Sequence, residues 1–125
     1  HHLDGWQMAM SRCPPDPRRG MLLVDPSFEI KSDYEDIPDF FRKIHRKWPV
    51  GILALWYPIL VDERHKPMTR ALLDAIPDAT LHEVRFPPAR QGHGMVGSGM
   101  FVVNAPYGFD IEAGRLSAKF KTLKA

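Results

Sequence analysis

Two short apolar runs with an amphipathic stretch between them constrain this chain more than any other feature. Gly20 to Val24 reads Gly-Met-Leu-Leu-Val, bounded upstream by Pro14, Pro15, Pro17, Arg18 and Arg19 and downstream by Asp25-Pro26. Val50 to Tyr57 reads Val-Gly-Ile-Leu-Ala-Leu-Trp-Tyr and stops at Pro58. Continuous runs of this kind predict strands buried on both faces, as in a parallel sheet. Between them, Ile37, Phe40, Phe41, Ile44 and Trp48 recur at three- and four-residue steps, with Asp36, Asp39, Arg42, Lys43 and Lys47 on other faces. That spacing predicts an amphipathic helix, and Pro38, which a first turn tolerates, sets its start near Asp36 or Ile37.

The pattern continues downstream. Asp62 to Ile76 places Met68, Leu72 and Ile76 on one side of a second helix. Thr80 to Phe86, with Leu81, Val84 and Phe86 as its apolar residues, and Gly99 to Asn104 read as two more strands. Pro87 to Ser98 is rich in Gly and Pro and too short for a crossover helix, so these two strands are expected to pair as an antiparallel hairpin at one edge of the sheet. The expected fold class is therefore α/β, with parallel strands and an antiparallel C-terminal hairpin. At 125 residues, 1–125 is one domain with a single core.

Composition excludes several classes. With 44% apolar and 26% charged residues the chain has the make-up of an ordinary globular protein. No apolar stretch approaches the roughly 20 residues of a membrane span, so no membrane partner is expected. The single cysteine, Cys13, precludes an internal disulfide and fits a cytoplasmic location. The net charge of +2 permits a polyanionic partner without requiring one. Six histidines, at 1, 2, 45, 65, 82 and 93, lack a paired ligand spacing beyond the adjacent first two, and no metal is expected. The chain opens His1-His2-Leu3 without an initiator Met and is read as a piece of a longer protein.

The chemistry concentrates in Asp25-Pro26-Ser27-Phe28, placed directly after the first strand, where ligands bind in open α/β sheets. By itself Asp-Pro after a strand is ordinary turn chemistry. Three strings in register carry more: Arg18 to Tyr34, with Asp25-Pro26-Ser27-Phe28-Glu29 and Lys31-Ser32-Asp33-Tyr34; Gly51 to Pro58; and Gly94 to Met100. Together they resemble the RlmJ family of Asp-Pro-Pro-Tyr/Phe amino methyltransferases, over the second half of that family's pattern. The resemblance implies the second half of a Rossmann-like class I methyltransferase fold, S-adenosylmethionine as cofactor, and transfer of its methyl group to N6 of an adenosine in 23S ribosomal RNA by a monomer. The N-terminal cofactor-binding half, with its Gly-rich loop and the acidic residue that grips the ribose, belongs upstream, and the fragment alone is expected to be inactive.

The resemblance also assigns roles. Asp25 and the carbonyl of Pro26 would accept the two hydrogens of the target amine, and Phe28 would stack on the extruded base. Ser27 stands where the family has a second proline, which leaves that backbone dihedral unlocked. His1-His2-Leu3-Asp4-Gly5-Trp6 resembles the acidic loop whose Asp meets the cofactor adenine, so Asp4, Gly5 and Asp25 are the cofactor candidates; Asp4 could equally cap a short helix from Trp6 to Ser11. Arg85, Arg90, Gln91 and His93 around the hairpin could touch RNA phosphates but also fit a solvated loop. Trp56 and Tyr57, where the second strand ends, could line the site but read chiefly as core, and Lys119, Lys121 and Lys124 around Phe120 as a solvated helix end. The alternative from another class is a catalytically inactive nucleic-acid-binding protein of the same fold, linked to DNA utilisation.

Overall fold

A computed structural model describes residues 5–16, 19–28, 31–88, 90–92 and 94–123. Its elements are α1 (Gly5–Arg12), β1 (Met21–Val24), α2 (Lys31–Lys47), β2 (Ile52–Leu60), α3 (His65–Ala75), β3 (Thr80–Arg85), β4 (Met95–Val103) and α4 (Phe109–Lys121). The sheet order is β1-β2-β4-β3. β1 runs parallel to β2, and β4 runs antiparallel to both β2 and β3. The fold is thus α/β with a mixed sheet, and the expected hairpin does form one edge. Its second strand, however, is inserted between β2 and β3.

Side chains alternate across a strand, so the register divides the sheet into two faces. Leu53, Leu55, Tyr57 and Ile59 of β2 face α2 and α3 together with Phe101 and Val103 of β4, and all six are at most 2% exposed. Ile37, Phe41 and Ile44 of α2 and Met68 and Leu72 of α3 close over them. Each such side chain contributes roughly 1.5–3 kcal/mol by leaving water. Trp48 seals the end of α2 against Gly51, where a Cβ would lie 2.2 Å from the indole Cδ2, so only glycine admits the ring.

Four local expectations are corrected. α2 begins at Lys31, and Pro38 lies inside it. The apolar stripe starts one turn earlier than its hydrocarbon residues suggest, because Tyr34 is buried and follows the same spacing as Ile37, Phe41 and Ile44. That packing outweighs the roughly 3 kcal/mol a mid-helix proline costs. β2 runs through Pro58 to Leu60. The N–H of Ile52 donates to Gly20, so even-numbered residues of β2 turn their backbone groups towards β1, whose pairing ends at Val24 and Leu55. Pro58 falls beyond that end, and its missing donor costs no ladder bond. β1 is not buried on both faces: Met21 and Leu23 are 63% and 60% exposed. Finally, β4 starts at Met95 rather than Gly99. Gly97 lies in the added stretch, packed closely against Ile59.

On the second face, α4 covers only the β3 side. His82 is hydrogen-bonded to Ser117 at 2.8 Å, and Phe86 packs against Phe120 with ring centres 6.0 Å apart. Lys119 and Lys121 lie in the last turn of α4, as a solvated helix end requires. Lys124 lies outside the described residues.

Candidate functional site at the carboxyl end of the parallel strands

Asp25 follows directly on the last residue of β1. It is exposed, and no hydrogen bond or ion pair among the described residues occupies its carboxylate. A carboxylate at a strand end with both oxygens free is available to a ligand's donors. Pro26 is half-buried and Ser27 exposed.

Phe28 packs inward. It is 7% exposed, with its ring centre 4.9 Å from that of Tyr34 and 6.4 Å from that of Trp56. Its backbone takes a φ of 56°, a conformation that costs a non-glycine residue roughly 1–3 kcal/mol unless the surroundings enforce it. Here the ring's packing enforces it. Phe28 therefore anchors the loop, and in this state it offers no open face to a base.

Two clefts meet at Asp25. One, of about 360 Å³, runs between α1 and the loop and is lined by Gly5, Trp6, Asp25, Ser27, Asp33 and Phe40 among others. The structure thereby brings together two of the three cofactor candidates, Gly5 and Asp25; Asp4 lies outside the described residues. The other, of about 410 Å³, lies on the second face of the sheet and is lined by Leu23, Asp25, Trp56 and Met100. Trp56 is held there by its indole N–H, which donates to Ser98 Oγ at 2.6 Å. Of the two aromatic residues that the end of the second strand offered to the site or the core, Trp56 borders the carboxylate and Tyr57 points the opposite way into the core.

Tyr57 is buried behind the sheet. Its hydroxyl donates to Glu83 Oε2 at 2.6 Å, and its ring stacks on His65 at 5.6 Å. Burial, reinforced by the Glu83 carboxylate, pushes the phenol well above its ordinary range. Burial likewise holds the His65 imidazole below its usual value, despite Glu83 at 3.5 Å. His65 is therefore neutral near pH 7, and its contact with Glu83 is not an ion pair. This polar cluster had no signal in the sequence, since its members come from β2, α3 and β3. Near the hairpin, Arg85 reaches Glu63 at 3.4 Å, whereas Arg90 and Gln91 are exposed and His93 lies outside the described residues.

The fold and the two clefts define an open α/β protein whose candidate site lies where a parallel strand gives out onto a carboxylate that no described residue pairs. A family model described as ribosomal RNA large subunit methyltransferase D, RlmJ, matches residues 1–121. The chain belongs to this RlmJ family. It is 34% identical over 105 residues to ribosomal RNA large subunit methyltransferase J of Escherichia coli (strain K12), and 30% identical over 105 residues to the protein of the same name in Haemophilus influenzae. These alignments cover 83% of this chain but only 38% and 37% of the two relatives, so the chain spans under half the length of the curated relatives it matches. A crystal structure of a Legionella pneumophila protein superposes with a TM-score of 0.86 at 27% identity, over 97% of this chain and 45% of the other.

Proposed function

We propose that this chain is the target-base half of a Rossmann-like, S-adenosylmethionine-dependent methyltransferase that modifies N6 of an adenosine in 23S ribosomal RNA, in the cytoplasm. The observation that carries the reading is Asp25, without a partner among the described residues, exposed at the end of β1 and open to a cleft on either side. Family membership and the sheet order β1-β2-β4-β3, with its antiparallel inserted strand, support it.

An exocyclic adenine amine is a poor nucleophile because its lone pair is delocalised into the ring. In this reading Asp25 accepts one amine hydrogen and the Pro26 carbonyl the other, which favours a pyramidal nitrogen with its lone pair directed away from both acceptors. No strong base is needed before transfer, and the proton that the methylated nitrogen must then shed would pass to Asp25 or to water; the chain's main contribution is positioning and fixed electrostatics. The cofactor, when bound, supplies an activated methyl group on a sulfonium that is its own leaving group. Gly5, Trp6 and Asp25 are the residues of this chain that would border it, since they line one cleft.

The test is methyl transfer from S-adenosylmethionine to unmodified 23S ribosomal RNA by the full-length protein. Asp25→Ala is expected to lower the rate about 10²–10³-fold, the size of effect seen when one fixed polar contact to a reacting centre is removed. Equal rates would remove Asp25 from the mechanism. The second reading, a silent nucleic-acid-binding protein, is favoured by Ser27 and the buried Phe28; RNA binding without any transfer would support it.

A further inference from the structure

We infer that the groove between α2 and α3 is a subsite for a nucleotide of the RNA chain outside the target adenosine, its phosphate held by Lys31 and Arg64 and its base laid on an apolar floor. This rests on the reading of the chain as part of an RNA methyltransferase and adds a contact apart from the target amine. The groove encloses about 730 Å³, and its walls belong to α2 and to the segment from Arg64 to Ala75. β1 and β2 run parallel, and α2 and α3 each start beyond the carboxyl end of the strand before them. Lys31 and Arg64, at the two helix starts, therefore stand at the same end of the sheet as Asp25.

Tyr34 carries the inference. It is 8% exposed and lines the groove, and its hydroxyl is buried with no hydrogen-bond partner among the described residues. A buried hydroxyl left without a partner costs the fold stability, and a ligand's acceptor oxygen would satisfy it. Burial pushes its phenol up, against the pull of Arg64, so at neutral pH the group is a donor. Charge narrows the choice of acceptor. Lys31 has no carboxylate partner among the described residues. Asp62 holds the Arg64 guanidinium through Nε and Nη2, at 3.0 and 2.6 Å, which leaves Nη1 for a ligand. α3 adds a helix start with no acidic residue in its first turn and no side-chain cap. Of the two carboxylates in the lining, Asp39 is bonded to Arg42 and Lys43, and Glu35 lies one turn beyond Lys31. Further along, Pro38, Pro67 and Met68 form the apolar floor. A phosphate with a planar base attached satisfies the hydroxyl, the cations and the floor together. An acidic peptide would meet the cations equally well, but the groove opens at the end of the sheet to which the proposed function brings RNA.

The experiment measures binding of two oligoribonucleotides to the full-length protein, one extending several nucleotides to each side of a central adenosine and one a trinucleotide centred on it. Tyr34→Phe removes only the hydroxyl and keeps the ring's packing. It is expected to weaken the longer oligonucleotide about three- to tenfold and to leave the trinucleotide unchanged, while the urea midpoint stays at or above that of the wild type. Lys31→Gln and Arg64→Gln should each weaken the longer oligonucleotide and lower the salt dependence of its binding by about one counterion. Equal binding of the longer oligonucleotide by Tyr34→Phe and wild type overturns the inference, as would follow if a peptide or another part of the chain filled the groove. Equal losses for both oligonucleotides overturn it too, since they place the effect at the Asp25 loop. Loss of adenosine monophosphate binding in Tyr34→Phe without loss of RNA binding would assign the groove to a free nucleotide and overturn it as well. If the wild type transfers no methyl group, the methyltransferase reading falls separately, and length-dependent RNA binding still judges the groove.

Discussion

The two faces of the sheet are built to different ends. Against α2 and α3, Leu53, Leu55, Tyr57, Ile59 and Phe101 are fully buried. On the opposite face Met21 and Leu23 stay more than half exposed, Trp56 and Met100 are half-buried, and α4 has no buried residue of its own. Strand periodicity separates the two over a few ångströms: in β2, Leu55 and Tyr57 belong to the core, while Trp56 between them belongs to the cleft. Packing is densest on the α2–α3 face, while on the other face burial is confined to the middle and the β3 side, at Ala54, Val102 and Val84, so substitutions at the exposed Leu23 and the half-buried Trp56 should read out in binding more than in folding.

The comparison can be broken most sharply from the packed side. Phe41→Ala should cost about 3–5 kcal/mol in urea unfolding, because it leaves a cavity between α2 and Phe101, whose ring lies edge-on at 5.7 Å. A loss below about 1 kcal/mol would mean the core is looser than the burial implies.

Gly99→Ala is next. The added methyl would meet Tyr57 Cζ at 2.2 Å, and that ring is pinned by Glu83 and His65. Overpacking of this kind should cost about 1–3 kcal/mol, and Gly99→Ala combined with Tyr57→Ala should recover part of it in a double-mutant cycle.

A smaller effect follows from His65. Its imidazole is held below the ordinary value of 6.5 by burial, so at lower pH the unfolded chain binds a proton that the folded chain resists. Stability is then full above pH 6.5 and declines as the pH falls below it, down to the depressed folded value. The urea midpoint should drop between pH 7 and pH 5.5, and His65→Asn should flatten that slope. The smallest effect belongs to the open face, where Leu23→Ser should change stability by no more than about 0.5 kcal/mol.

Local chemistry was legible wherever neighbouring residues decide conformation. The apolar run at Met21–Val24, the Met68–Leu72–Ile76 stripe, the turn residues between β3 and β4, and a polar motif at the end of β1 all followed from periodicity and turn chemistry. The prolines misled. Pro38 and Pro58 each forbid a backbone bond, and whether that matters depends on what lies opposite: a packed tyrosine one turn earlier for Pro38, and the end of β1 for Pro58.

At the candidate site the division is similar. That Asp25 stands at a strand's end was readable in the sequence, because a buried run stops there. That Phe28 turns inward while Trp56 remains at the rim was not, since it depends on Tyr34, six positions from Phe28, and on Ser98 and Met100, 42 and 44 positions from Trp56. Sequence determined which segments form strands and helices, and the kind of chemistry the loop after β1 can carry, because backbone preference and side-chain period act over a few residues. Only the tertiary structure decided which aromatic ring borders that chemistry, because exposure is set by the elements packed around a side chain.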